Sequence, residues 1–163
     1  QSSTALYERV GDSAAYNIVR EHFALLASIV RDHEGAVVKT IGDAVMATFP
    51  TPDRGMAAAL RMREAMHDLN RQHGNEDLLL KIGIHEGPCL AVMLNDRQDY
   101  FGQTVNIAAR VQSLADSRAI FTTSPVVNHA ETAALLAAGG RTPVSQQRVI
   151  RGIAANMAIY EIP

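Results

Sequence analysis

The order of patterns along this chain predicts an α+β fold, with helices laid on a mostly antiparallel sheet. Three observations carry that prediction. Long amphipathic runs with helical spacing alternate with short β-branched runs. Several of the short runs come in adjacent pairs joined by tight polar turns. No internal repeat, low-complexity segment or interdomain linker interrupts the series, so residues 1–163 read as a single domain.

Gly11-Asp12-Ser13 supplies a turn and a cap before the first helix, whose core stripe is Val19, Phe23, Leu26 and Val30, with Gly35 just beyond its end. A hairpin follows at once: two apolar β-branched runs, 37–41 and 44–49, flank Gly42-Asp43. Thr51-Pro52-Asp53 opens a second helix, since proline suits a first turn and an acidic side chain suits the helix N-terminus. That helix carries Met56, Leu60, Met62, Met66 and Leu69 and stops near His73-Gly74. A buried strand is expected over 78–84, with His85-Glu86-Gly87-Pro88 turning it into a second strand over 89–94. His85 reads as a hydrogen-bonded turn residue, and Cys89 reads as a small core residue. A polar tip at 95–98 leads to Asp99-Tyr100-Phe101-Gly102 and then to a helix starting near 102–104. The rest reads as a strand over 119–123, a short helix capped by Ser124-Pro125 and broken at Gly139-Gly140, and two strands near 144–150 and 157–162.

Composition narrows the function. With 47% hydrophobic and 20% charged residues the chain has the make-up of a globular domain. A formal net charge of −2, without an aromatic-rich basic stripe, argues against a nucleic-acid partner. A single cysteine excludes an internal disulfide and fits a reducing compartment. No apolar run is long enough to span a bilayer and the opening residues show no signal peptide, so a cytoplasmic location is expected, alone or as part of a larger, membrane-anchored protein.

The hairpin is the richest stretch. An Asp at a hairpin tip is, by itself, a turn-former. Lys39 on the strand leading into that tip adds a second reading, a site for a metal-bound, phosphorylated ligand. Further on, Asn106 and Arg110 lie four apart inside an apolar helix, and therefore on one face. Such a pair marks either a solvated face or a cleft. No second His or Cys stands at metal-ligand spacing from His85.

Five pieces in order make the chain resemble the catalytic domain of class III nucleotidyl cyclases, the adenylate and guanylate cyclases. They are Ser3-Thr4-Ala5-Leu6, Lys39-Thr40-Ile41-Gly42-Asp43, Lys81-Ile82-Gly83-Ile84-His85-Glu86-Gly87, Asp99-Tyr100-Phe101-Gly102-Gln103-Thr104-Val105-Asn106-Ile107-Ala108-Ala109-Arg110, and Arg151-Gly152 through Tyr160. The resemblance implies a ferredoxin-like palm with extra C-terminal elements and active sites shared across a head-to-tail homodimer. It implies an adenylate cyclase that converts ATP to 3′,5′-cyclic AMP and pyrophosphate with two Mg²⁺ or Mn²⁺ ions per site. Asp43 matches a metal aspartate, and a second is expected upstream of Gln1 together with the first strand of the palm. Lys39 and Asp99 match the base-reading pair of adenylate cyclases, Asn106 the residue that orients the ribose, and Arg110 the one that stabilises charge on the phosphate under attack. A regulatory domain outside this chain is also expected.

Hydrogen bonding favours the same base. Adenine offers an acceptor at N1 and a donor at its amino group, which a Lys donor and an Asp acceptor complement; guanine presents the opposite pattern. One departure stands out: the phosphate-binding Lys of some family members has no counterpart in Ile153-Ala154-Ala155, after Arg151-Gly152. The competing readings are a catalytically incomplete cyclase-like module for nucleotide binding or dimerisation, and a guanylate cyclase, which Lys39 and Asp99 disfavour.

Overall fold

The computed structural model describes residues 8, 11–74, 79–116, 118–148, 150 and 157–163. The elements, in order, are α1 (Asp12–Asp32), β1 (Ala36–Ile41), β2 (Ala44–Thr48), α2 (Pro52–Gln72), β3 (Ile82–Ile84), β4 (Leu90–Leu94), β5 (Arg97–Phe101), α3 (Gln103–Leu114), β6 (Ile120–Thr123), α4 (Ser124–Val127), α5 (Ala130–Ala138), β7 (Val144–Gln146) and β8 (Ile159–Ile162). The mixed α+β architecture predicted from the sequence is present. The 3–6 segment and Arg151-Gly152, two pieces of the resemblance, lie outside the described residues, as does Leu78.

Among the described residues the strands form one four-stranded sheet, in the order β3-β6-β8-β7, and two antiparallel pairs, β1-β2 and β4-β5. β3 runs parallel to β6, while β8 is antiparallel to both β6 and β7. Strand β6 is buried along its whole length, and its alternation sends side chains into two cores. Ile120, with Ile162 of β8, packs against Met56 and Ala59 of α2 and Val126 and Leu136 of α4 and α5. Phe121, with Ile159 of β8, packs against Ile107 and Val111 of α3. Helices therefore cover both faces of the sheet. Each such fully buried side chain stabilises by roughly 1.5–3 kcal/mol. Helix α1 packs on α2 through Ala15, Met66 and Leu69, and Phe49 joins α1 to α2 just after β2.

Three local expectations are corrected. The second hairpin was expected between 78–84 and 89–94, yet β3 pairs with β6 and β4 pairs with β5. The turn between β4 and β5 is Asn95-Asp96, both at positive φ (49° and 62°), the backbone shape whose twist matches antiparallel strands. Pro88, with no N–H to give, instead accepts a hydrogen bond at its carbonyl from the Thr104 hydroxyl (2.5 Å), which ties the 85–88 connection to α3. Cys89 is exposed rather than in the core, because it precedes a hairpin that stands off the main sheet. The helix expected from Ser124 splits into α4 and α5, where His129, the N-cap residue of α5, takes an extended conformation and its Nδ1 lies 3.2 Å from the Thr132 hydroxyl.

Two glycines are dictated by close approach. Gly35 stands just beyond α1, as expected, and Glu34 before it takes the left-handed conformation at φ +64°. A Cβ on Gly35 would lie 2.6 Å from the Phe49 ring. At Gly83 the backbone of α3 comes so near that a Cβ would fall on Gln112, 2.6 Å from its Cα. That contact sets the height of α3 above the sheet. No helix among the described residues is long and apolar enough to cross a membrane. Gly83→Ala should therefore lift α3 and destabilise the fold by roughly 1–3 kcal/mol, read as a lowered midpoint in urea unfolding. An unchanged midpoint would mean that α3 can retreat without cost.

Candidate active site

The four segments that carry the candidate residues are positioned by ordinary local rules. On β1 the pairing register slips between Val37 and Lys39, a bulge that re-aims the strand just where the lysine sits. At the tip, Gly42 takes φ +60° as the first central residue of the turn, and a Cβ there would meet nothing within 4 Å. Asp43 follows as the second turn residue and is exposed. Asp99 lies in β5, paired with Val92 of β4. Gly102, at φ +135°, then lets the chain turn from β5 directly into α3.

Lys39 and Asp99, sixty residues apart, are brought into contact. The Lys39 Nζ donates to Asp99 Oδ2 at 2.8 Å, while Asp99 Oδ1 accepts from the Tyr100 backbone N–H at 2.7 Å. The Lys39 ammonium also lies 5.9 Å from the centre of the Phe101 ring, within cation–π range. The Lys39 hydrogen bond, helped by the Tyr100 amide, holds the Asp99 carboxyl below the usual carboxylate range. The Asp99 side chain is 14% exposed and that of Lys39 is 39% exposed, so both can still reach a ligand. Lys39 keeps further N–H donors and Asp99 keeps spare lone pairs, so the pair can offer a donor and an acceptor to a ligand without parting.

Asn106 and Arg110 lie one turn apart on α3, both exposed. The helix is held from below by Ile107 and Val111, whose burial turns the opposite face outward. Asp43 stands at the tip of the β1–β2 hairpin that carries Lys39. His85 is hydrogen-bonded, as expected: its Nδ1 pairs with the Thr123 hydroxyl at 2.6 Å, and burial pushes its pKa down.

Phe101 beside Lys39 was not singled out from the sequence. The signal was there in the alternation of 97–101, where Arg97, Asp99 and Phe101 share one face of a strand whose first two residues read as part of a polar tip.

Residues 1–157 match the family model of the adenylate and guanylate cyclase catalytic domain, and the chain belongs to that family. It is 30% identical over 115 residues to guanylate cyclase 32E of Drosophila melanogaster, covering 63% of this chain and 10% of that protein. It is 33% identical over 93 residues to putative adenylate cyclase 3 of Rhizobium meliloti, covering 56% of this chain and 15% of that one. The chain thus spans a small part of the curated relatives it matches. In fold it resembles the adenylyl cyclase CyaB from P. aeruginosa, with a TM-score of 0.79 at 19% identity over 100% of this chain and 89% of that one. The fold is the ferredoxin-like palm of cyclase catalytic domains, as the resemblance implied. Relatives of both nucleotide specificities occur, so the family defines a nucleotide cyclase and leaves the base open.

Replacing Lys39 by Met should raise the Asp99 titration midpoint toward that of an ordinary aspartate, followed by carboxyl NMR. Because the folded-state pKa of Asp99 is depressed, the pair is intact at neutral pH and is lost only as pH falls through that lowered value. An Asp99 midpoint indifferent to Lys39 would remove the ion pair from solution.

Proposed function

We propose that the chain is the catalytic domain of an adenylate cyclase, forming 3′,5′-cyclic AMP and pyrophosphate from ATP in the cytoplasm, at sites shared across a head-to-tail homodimer. The observation that carries this reading is the Lys39–Asp99 contact at 2.8 Å. A donor and an acceptor, held together on β1 and β5, complement N1 and the amino group of adenine. Guanine would set donor against donor and acceptor against acceptor.

The surroundings favour a dimer closing over that pair. Asp99 shares its strand face with Phe101, and their cross-strand partners are Val92 and Leu90. Leu90 is 65% and Phe101 46% exposed, and Met93 and Leu94 on the same hairpin are also exposed. Such an apolar edge beside a polar recognition pair is suited to a partner surface.

In the reaction the ribose 3′-hydroxyl gives its proton to solvent, its oxygen bonds to the α-phosphorus, the bond to the bridging oxygen breaks, and pyrophosphate leaves. Asn106 orients the ribose and Arg110, one turn on, offers a permanent charge with fork geometry where negative charge builds up. Asp43 fits a hard divalent cation by donor chemistry and by its open turn, and would hold Mg²⁺ or Mn²⁺ with the triphosphate oxygens. The bound cation would acidify the 3′-hydroxyl and screen the triphosphate. Lys39 and Asp43, four residues apart, then serve different active sites.

Cyclic AMP formation from ATP with Mn²⁺, at high protein concentration, tests the activity; no product from a well-folded dimer would favour the incomplete module. GTP as the better substrate would favour the guanylate reading. Arg110→Ala should lower kcat by about 10²–10³-fold with little change in KM; a change confined to KM would move Arg110 to substrate binding. Mixing inactive Asp43→Ala and Arg110→Ala proteins should restore about a quarter of the activity, since random pairing makes half the dimers mixed and each mixed dimer has one intact site. No recovery would argue against shared sites.

A further inference from the structure

Away from the Lys39–Asp99 pair, a second group of metal-binding side chains converges. Asp53 lies in the first turn of α2, while His129 caps α5 and Glu131 lies in its first turn. One ligand atom from each of the three lies within 4.8 Å of the other two. Roughly 15 Å of strand β2 separates this group from the hairpin tip that bears Asp43. These residues are 76 positions apart in sequence, so spacing alone could not reveal them.

A helix N-terminus accounts for either carboxylate alone, because its dipole favours an anion. It does not account for two carboxylates and an imidazole aimed at one point. Nor does it account for Asp53 Oδ1, which is buried and accepts no hydrogen bond. A buried ionised oxygen without a partner is costly, and a cation is the partner that removes the cost.

We propose that Asp53, His129 and Glu131 bind one divalent transition-metal ion of the zinc class, clamping the N-terminus of α2 to that of α5. Two carboxylates and one imidazole are a donor set that zinc accepts and that magnesium, which prefers oxygen alone, does not favour. Ligands of one tetrahedral zinc stand roughly 3.5 Å apart, a side-chain rotation away from the present spacing. The His129 Nδ1 is 3.2 Å from the buried Thr132 hydroxyl. Such a contact fixes the ring of a metal-binding histidine when the metal takes Nε2. The ion would be structural, because it joins two helices that already meet through the core of Met56, Val127 and Leu136.

The test is zinc titration calorimetry on the full chain, in a Cys89→Ser background and with millimolar Mg²⁺ present. One zinc per chain is expected, with a rise in Tm of about 5 °C at saturation. Glu131→Gln, an exposed change, should weaken binding at least tenfold. His129→Asn, which puts a favoured N-cap residue at the same position, should abolish it with an unchanged circular dichroism spectrum. Asp43→Asn should bind zinc like the parent. The proposal is overturned if the parent takes up no stoichiometric zinc, if His129→Asn and Glu131→Gln bind as the parent does, or if zinc uptake is lost with Asp43→Asn and kept in the other two. Because the readout is zinc uptake rather than cyclase activity, failure here leaves the proposed reaction standing.

Discussion

The structure depends on the double burial of β6. Four residues, Ile120 to Thr123, are buried on both faces, so the strand must be covered by a helix layer on each side. Ile120 keys the α2, α4 and α5 layer, while Phe121 keys α3. The polar members of the strand are satisfied locally: the Thr122 hydroxyl donates to the Ile84 carbonyl at 3.0 Å, and Thr123 pairs with His85. These bonds lock β3 beside β6, and through Gly83 they bring the backbone of α3 down onto the sheet. The outward face of α3, with Asn106 and Arg110, is thus set by contacts made on its other side.

The second constraint is electrostatic and lies at the edge of the molecule. Lys39 and Asp99 are on two different hairpins, neither part of the four-stranded sheet. Their ion pair joins those hairpins at the place the proposed function assigns to reading the base. A partly exposed ion pair contributes modest stability, so the value of this contact is in orientation. It presents a donor and an acceptor at a separation fixed before any ligand arrives, which lowers the entropic cost of recognition. The apolar side chains around it, Leu90 and Phe101 among them, leave that edge unsuited to water and suited to a second surface.

Much of this was legible in the chain. The stripe of α1, the Thr51-Pro52 start of α2, the Gly42-Asp43 turn and the helical face shared by Asn106 and Arg110 follow from local periodicity and turn chemistry. The misreadings of the strands and of Cys89 have one cause. Strand β5 carries Arg97, Gln98 and Asp99, and polar residues in a row look like a loop unless the pairing partner is known. Once β4 claims β5 through the Asn95-Asp96 turn, β3 is released to pair with β6, and Cys89 falls on an exposed hairpin instead of in a core.

By itself the sequence determined the class of fold, the family and the chemical types of the candidate residues, because these depend on periodicity and on residue identity at short range. Only the tertiary structure decided which residues meet. The contact of Lys39 with Asp99, the approach of Gln112 to Gly83, and the convergence of Asp53 with His129 and Glu131 each join segments distant in the chain. Such contacts arise from sheet register and helix packing, which depend on the summed burial of whole faces. No local pattern of residues encodes that sum.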